Sequence, residues 1–132
     1  MRSPGLAASA AAVLALEGTA LAVVALIELF GLVSGTAALL PTAVALIVLT
    51  LIGAAALFAF AEGTRRGRGW ARSGGVVLQV LAVALALTSL TVHPVPWIFI
   101  VAVGLPGLVG FALLIASARR ETGAQTPDAA QE

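Results

Sequence analysis

Cysteine, lysine, asparagine and tyrosine are all missing from this chain of 132 residues. Without cysteine, the chain cannot form disulfides, thiolate metal sites or a lipidated cysteine anchor. A single histidine excludes a histidine-rich metal site, and no aspartate lies in an apolar run, which excludes a paired-aspartate intramembrane protease. The sequence contains no GxSxG motif and no glycine-rich phosphate loop following a strand. We therefore predict a protein with no catalytic activity, no cofactor and no metal.

Charged residues are also scarce, at 10% of the chain, whereas 61% of the residues are hydrophobic and the mean hydropathy is +1.12. A soluble domain of this length leaves much of its surface in water and cannot hide so many apolar side chains. The formal net charge of +1 is too small, and too localised, for nucleic-acid binding. This composition indicates an integral membrane protein that binds no nucleic acid.

The apolar residues fall into four runs of about 20 residues or more, each long enough to cross a bilayer. Prolines at His93-Pro94-Val95-Pro96 break the chain between the last two runs, and Gly31–Thr36 forms an uncharged turn between the first two. The first run continues past Glu17 without a break, which favours a span over a cleaved signal peptide. The predicted fold is an all-α, four-helix transmembrane bundle over 1–120, with spans at 6–33, 41–61, 74–92 and 97–117 and a disordered tail at 121–132.

The orientation of these spans is predicted from the arginines. The stretch Glu62–Ser73 is expected to be a loop, and it carries four of the seven basic residues: Arg65, Arg66, Arg68 and Arg72. The others, Arg2, Arg119 and Arg120, lie near the termini, on the same side in a four-span chain. Because arginine is retained on the cytoplasmic face, we predict a multi-pass protein of the cell (cytoplasmic) membrane with both termini in the cytoplasm and the basic loop beside anionic lipids. Glu62 is expected to pair with Arg65 and Arg66 at i,i+3 and i,i+4 spacing.

Polar residues within the spans are the candidates for function. Glu17 and Glu28 are eleven residues apart in the first span, which at about 100° per residue places both on one helix face. We expect a polar and small-residue stripe of the third span to face them, with His93 level with Glu28 and with Gln79 several residues shallower than Glu17. The stripe consists of Arg72, Gly75, Gln79, Ala82, Ala86, Ser89 and His93.

Glu17 has two interpretations. Desolvation disfavours a charged carboxylate at this depth, so a neutral Glu17 hydrogen-bonded to another helix would hold the bundle together. The alternative is a coupling group for proton or cation movement, because an ionisable side chain in a span is a candidate functional site. Glu28 and His93 lie closer to the membrane surface, where hydration makes a structural or solvated role easier.

The whole chain resembles a group of uncharacterised four-span integral membrane proteins from high-GC Gram-positive bacteria. Leu16-Glu17-Gly18, Glu28 and Arg66-Gly67-Arg68-Gly69-Trp70-Ala71-Arg72-Ser73, with Gln79 after it, carry the resemblance. It implies a fold and a location but no activity. The four-span architecture is also similar to that of small multidrug resistance transporters, in which a glutamate of the first helix exchanges protons for cationic drugs. This chain departs from them in having no tyrosine, no tryptophan within a span and a strong charge bias.

The sequence thus predicts a non-enzymatic accessory or interaction subunit, with a membrane-protein partner or a second copy of itself. The alternative is an oligomeric proton- or cation-coupled transporter or pore that uses Glu17. A transport route needs several polar side chains along a path, whereas Thr50 is the one polar side chain deep in the second span. That scarcity favours the accessory role.

Overall fold

The computed structural model describes residues 4–36 and 38–124 of the chain. This part forms four α-helices: α1 (Pro4–Val33), α2 (Leu40–Arg65), α3 (Gly69–Thr88) and α4 (Trp97–Ala124), with a 3-10 turn at Ser89–Thr91 after α3. Each of the four helices is long and apolar enough to cross a membrane. The predicted all-α, four-helix transmembrane bundle is confirmed, and the chain is a multi-pass membrane protein.

The helices pack as two antiparallel hairpins. α1 lies along α2 and α3 lies along α4, while contacts of α1 with α4 and of α2 with α3 join the hairpins, so that α1 and α3 are diagonal. We call the end of the bundle that holds the α2–α3 connection the basic end, and the other the opposite end. The apolar core lies toward the basic end and consists of Ala10, Leu14, Leu57, Ala61 and Leu114. Large side chains elsewhere, such as Phe30 and Ile98, are exposed, as expected of a surface that faces lipid.

Two glycines end helices in the same way. Gly67 has φ of 71°, its N–H donates to the Thr64 carbonyl (3.0 Å), and the Arg68 N–H donates to the Gly63 carbonyl (2.9 Å). Gly35, also at φ of 71°, ends α1 with the equivalent pair of bonds. Residues other than glycine rarely adopt this left-handed conformation, which turns the chain while satisfying the last carbonyls of the helix. The α2–α3 connection is therefore only the three residues 66–68.

The predicted boundaries at the basic end were wrong. The stretch Glu62–Ser73 is not a loop, since α2 continues to Arg65 and α3 begins at Gly69 rather than at residue 74. At its other end α3 stops at Thr88, and residues 89–91 form the 3-10 turn. The cap at Gly67, rather than the end of the apolar run, sets where α2 ends. The helix can continue past the apolar run because arginines in its last turn extend their charged groups into water.

The predicted tail also needs correction. α4 continues to Ala124, so residues 118–124 extend the helix beyond the span predicted at 97–117, and residues 121–124 of the predicted tail are helical. Helical hydrogen bonding does not require apolar side chains, and Arg119 and Arg120 are exposed on this extension. The rest of the predicted tail, 125–132, and Arg2 lie outside the described residues.

Candidate functional site in the bundle interior

A hydrogen bond between two polar side chains connects the diagonal helices. Gln79 Nε2 on α3 donates to Glu17 Oε2 on α1 at 2.7 Å. Gln79 is 1% exposed and Glu17 is half-buried. Hydrogen bonds between transmembrane helices contribute about 0.6–2 kcal/mol each. This pair therefore ties the two hairpins together through the middle of the bundle.

The two side chains meet because α3 begins earlier than the apolar run suggests. A helix starting at residue 74 would leave Gln79 only five residues from the basic end, several residues shallower than Glu17. Since α3 starts at Gly69, Gln79 lies ten residues from the start of its helix. Glu17 lies thirteen residues from the start of α1, so the two side chains are at similar depths. The residues Gly69–Ser73 at the start of α3, which the sequence assigned to a loop, thus set the depth of the glutamine.

Glycines make room for the Gln79 amide. A Cβ atom at Gly110 of α4 would lie 2.6 Å from Gln79 Nε2 and 2.8 Å from its Cδ, closer than van der Waals contact allows. One turn toward the basic end, a Cβ at Gly75 would lie 3.2 Å from Leu114 Cδ1 and 3.4 Å from Leu14 Cδ1. α4 therefore presents bare backbone to the amide, and α1, α3 and α4 pack together one turn toward the basic end.

Sequence reasoning missed Gly110. Its signal is the spacing of Gly104, Gly107 and Gly110, three residues apart along α4, which is typical of helix faces that pack closely in membranes. All three are buried and face α3. A periodic search for small residues in the fourth span would have found them.

Glu28 and His93 are not brought together. Their predicted pairing was wrong, because α3 ends at Thr88 and His93 is exposed in the connection that follows. Toward the opposite end the small-residue stripe faces α4 instead of α1: a Cβ at Gly104 would lie 3.0 Å from Ala86 Cβ. Glu28 is half-buried, and its Oε2 has no hydrogen-bond partner in the part of the chain that the structure describes.

At the basic end, Glu62 forms the predicted ion pairs. Arg65 donates from Nε and Nη2 to the two carboxylate oxygens, both at 2.8 Å, and Arg66 Nε donates to Oε1 at 2.6 Å. One carboxylate is thus shared by two guanidinium groups, which leaves this cluster with a surplus positive charge. Of the other two arginines in the predicted loop, Arg68 is exposed and Arg72 is half-buried.

Two hydroxyl groups within the spans bond to the backbone of their own helices. Thr50 Oγ1 donates to the Leu46 carbonyl and Ser117 Oγ to the Leu114 carbonyl, both at 2.8 Å. Trp70 and Trp97 are exposed at opposite ends of the bundle, as expected of indoles at two membrane surfaces. The described residues include no group of three or more histidine, aspartate or glutamate side chains that is placed to hold a metal ion.

Comparison with protein-family models, curated proteins and solved structures finds no match to this chain. The role of the Glu17–Gln79 pair therefore has to be inferred from its own geometry and surroundings.

Proposed function

We propose that this chain is a non-enzymatic accessory or interaction subunit of the cytoplasmic membrane, whose partner is another membrane protein or a second copy of itself. The observation that carries the proposal is the bond between Glu17 and the fully buried Gln79. This bond uses the Glu17 carboxyl, which lies deep in the bundle, to join two helices. A carboxyl that coupled transport would have to break such a bond in every transport cycle.

The surroundings of the pair support the same role. The neighbouring contacts on α4 and α1 are made by Gly110, Leu114 and Leu14, which offer no side-chain polar group to a passing ion. Thr50 and Ser117 are engaged with backbone carbonyls of their own helices. A transport path normally continues through several side chains that can exchange partners. Here the polar pair is followed by packed apolar residues toward the basic end.

A proton- or cation-coupled transporter or pore is the second candidate. Two buried acceptor atoms favour it, because Gln79 Oε1 and Glu28 Oε2 have no hydrogen-bond partner within the described residues. A cation would satisfy either atom, and a proton would satisfy the Glu28 carboxylate. This candidate makes Glu17 the coupling carboxylate.

Flux measurements distinguish the two roles. The chain is reconstituted into vesicles and assayed for proton leak and proton-driven cation uptake, alongside Glu17→Gln, which keeps the side-chain shape and an acceptor for the Gln79 amide. We expect no flux above empty vesicles from either form. Flux in the wild type would contradict the accessory role, and its loss in Glu17→Gln, with Glu62→Gln as an active control, would assign transport to that carboxyl.

The partner is sought by co-purification from native membranes in mild detergent. We expect a second membrane protein or a second copy to accompany the chain in a fixed ratio. Co-purification in the same ratio is expected for Glu17→Gln, because the glutamine can still accept the Gln79 N–H. A monomeric chain without companions, still folded by circular dichroism, would contradict the interaction role.

The proposed orientation places the basic end in the cytoplasm. Reporter domains fused after Glu132 or inserted at Gly67 are expected to give a cytoplasmic readout, and insertions at Gly35 or Val95 an external one, because every arginine then lies inside. Gly67 and Gly35 both lie in connections between helices, outside the helical segments. A cytoplasmic readout at Gly35 would reverse the assignment.

A further inference from the structure

A groove on the outer face of the α1–α2 hairpin has a wall of alanines. Its volume is about 510 Å³, and it is open along its length. On α1 the lining residues recur at helical spacing, so that one face offers only methyl groups. The groove is lined by Ala8, Ala11, Ala12 and Ala15 of α1 and by Phe58, Ala61, Glu62 and Arg65 of α2.

The groove runs from the membrane surface inward. α1 and α2 are antiparallel, and a Cβ at Gly18 would lie 3.3 Å from Leu57 Cβ, which places Ala15 beside Phe58 and Ala8 beside Arg65. At about 1.5 Å per residue, the seven residues from Ala8 to Ala15 correspond to about 10 Å of depth. An apolar channel of this depth, open to lipid along its length, suits part of an acyl chain.

The mouth of the groove is lined by one charge of each sign, Glu62 and Arg65, and Arg66 lies beside it as the second partner of Glu62. Glu62 accepts hydrogen bonds from Arg65 and Arg66 and is compensated by them. Each guanidinium group has about five N–H donors, so the two together have more donors than one carboxylate can accept. The side chains of Arg65 and Arg66 are 65% and 59% exposed. A phosphodiester is the anion whose geometry matches such donors at a membrane surface.

We propose that this groove binds an anionic glycerophospholipid, with its phosphodiester against Arg65 and Arg66 and one acyl chain along the alanine wall. The inference goes beyond the accessory role, since it holds with or without a protein partner. A second copy is a poorer occupant. Copies in one membrane share their orientation, so a symmetric contact through this groove would bring two positive clusters together at the same depth.

Native mass spectrometry tests the site in the intact chain. The protein is extracted in mild detergent from vesicles of equimolar phosphatidylglycerol and phosphatidylcholine. The lipid that it retains is identified and quantified from the mass of the complex. We expect the wild type to retain phosphatidylglycerol. Ala12→Leu fills the groove from an exposed position and is expected to reduce retention about tenfold, the effect of excluding about two methylenes from contact. Ala20→Leu, exposed on α1 outside the groove, is the matched control and should retain lipid as the wild type does.

The headgroup is tested separately with Arg65→Gln, which removes the surplus charge while leaving the alanine wall intact. Its preference for phosphatidylglycerol over phosphatidylcholine should disappear. Equal retention by Ala12→Leu and Ala20→Leu would overturn the groove, and equal retention of the two lipids by the wild type would overturn the anionic headgroup. Should Ala12→Leu not fold, Ala8→Leu fills the mouth of the same groove from another exposed position.

Discussion

Replacing Gly63 by alanine is expected to lower the free energy of unfolding by about 1–3 kcal/mol, the usual effect of overpacking. Gly63 is buried in the last turn of α2, and a Cβ there would clash with Ala71 Cβ in the first turn of α3 and lie 3.3 Å from Trp70 Cζ2. Alanine is the better helix former by about 1 kcal/mol, so helix propensity alone predicts a change of the opposite sign. The close approach of the two helices decides the outcome.

Relief of this clash is costly because the obstacle is rigid. Ala71 is fully buried and its Cβ is fixed to the backbone, so α3 itself would have to move away from α2. The connection between the helices is only 66–68, which leaves little slack. Movement would also separate the rings of Phe60 and Trp70, whose centroids are 5.8 Å apart at an angle of 57°. The substitution therefore strains the whole basic end.

The measurement is reversible unfolding in mixed detergent micelles, followed by helical circular dichroism and by Trp70 fluorescence in a Trp97→Phe background. Gly69→Ala is the matched control, because it also changes a glycine in the same hairpin but a Cβ there meets nothing within 4 Å. Gly69→Ala should be neutral or slightly stabilising, with unchanged fluorescence. Equal stability of the two variants would show that α2 and α3 do not approach this closely.

The number of helices was predictable from the sequence, whereas their ends were not. Hydropathy reports which residues avoid water, and four apolar runs fixed four helices. It does not report where backbone hydrogen bonding stops. The charged turns on either side of 66–68 remain helical because Gly67 supplies the cap and the Glu62 ion pairs stabilise the last turn of α2. Local hydrogen bonding, and not the end of the apolar run, therefore determines where these two helices end.

The candidate site was predictable in part for a related reason. Helical periodicity placed Gln79 on a face turned toward α1, and the Glu17–Gln79 bond confirms that half of the stripe. The other half faces α4, because close packing of α4 glycines against Ala82 and Ala86 governs that end of α3. Periodicity within one helix predicts which residues share a face, but it does not predict which neighbouring helix packs against each part of that face. The pairing of Glu28 with His93 failed for another reason, because α3 ends at Thr88 and His93 lies in the connection that follows.

Substituting alanine for Gly110 is expected to lower the free energy of unfolding by about 1–3 kcal/mol. The new Cβ would occupy space 2.6 Å from Gln79 Nε2, so the amide must move off its position. Gln79 is 1% exposed and its Nε2 is bonded to Glu17, so displacement sacrifices the bond that joins α1 to α3. The expected cost thus combines overpacking with a lost interhelical hydrogen bond.

A double-substitution cycle shows whether the amide causes this cost. In a Gln79→Ala background the side chain that Gly110 accommodates is gone. Adding Gly110→Ala there should change the free energy of unfolding little, with a gain of at most about 1 kcal/mol from the helix propensity of alanine. Gly107→Ala is the matched control, because a Cβ there meets Val83 and Ala82 at 3.2 and 3.3 Å rather than the glutamine side chain. Its effect on unfolding, measured in the same micelles, should be equal in both backgrounds. If Gly110→Ala costs as much without the glutamine side chain as with it, α4 does not position the amide, and Gln79 reaches Glu17 independently of that helix.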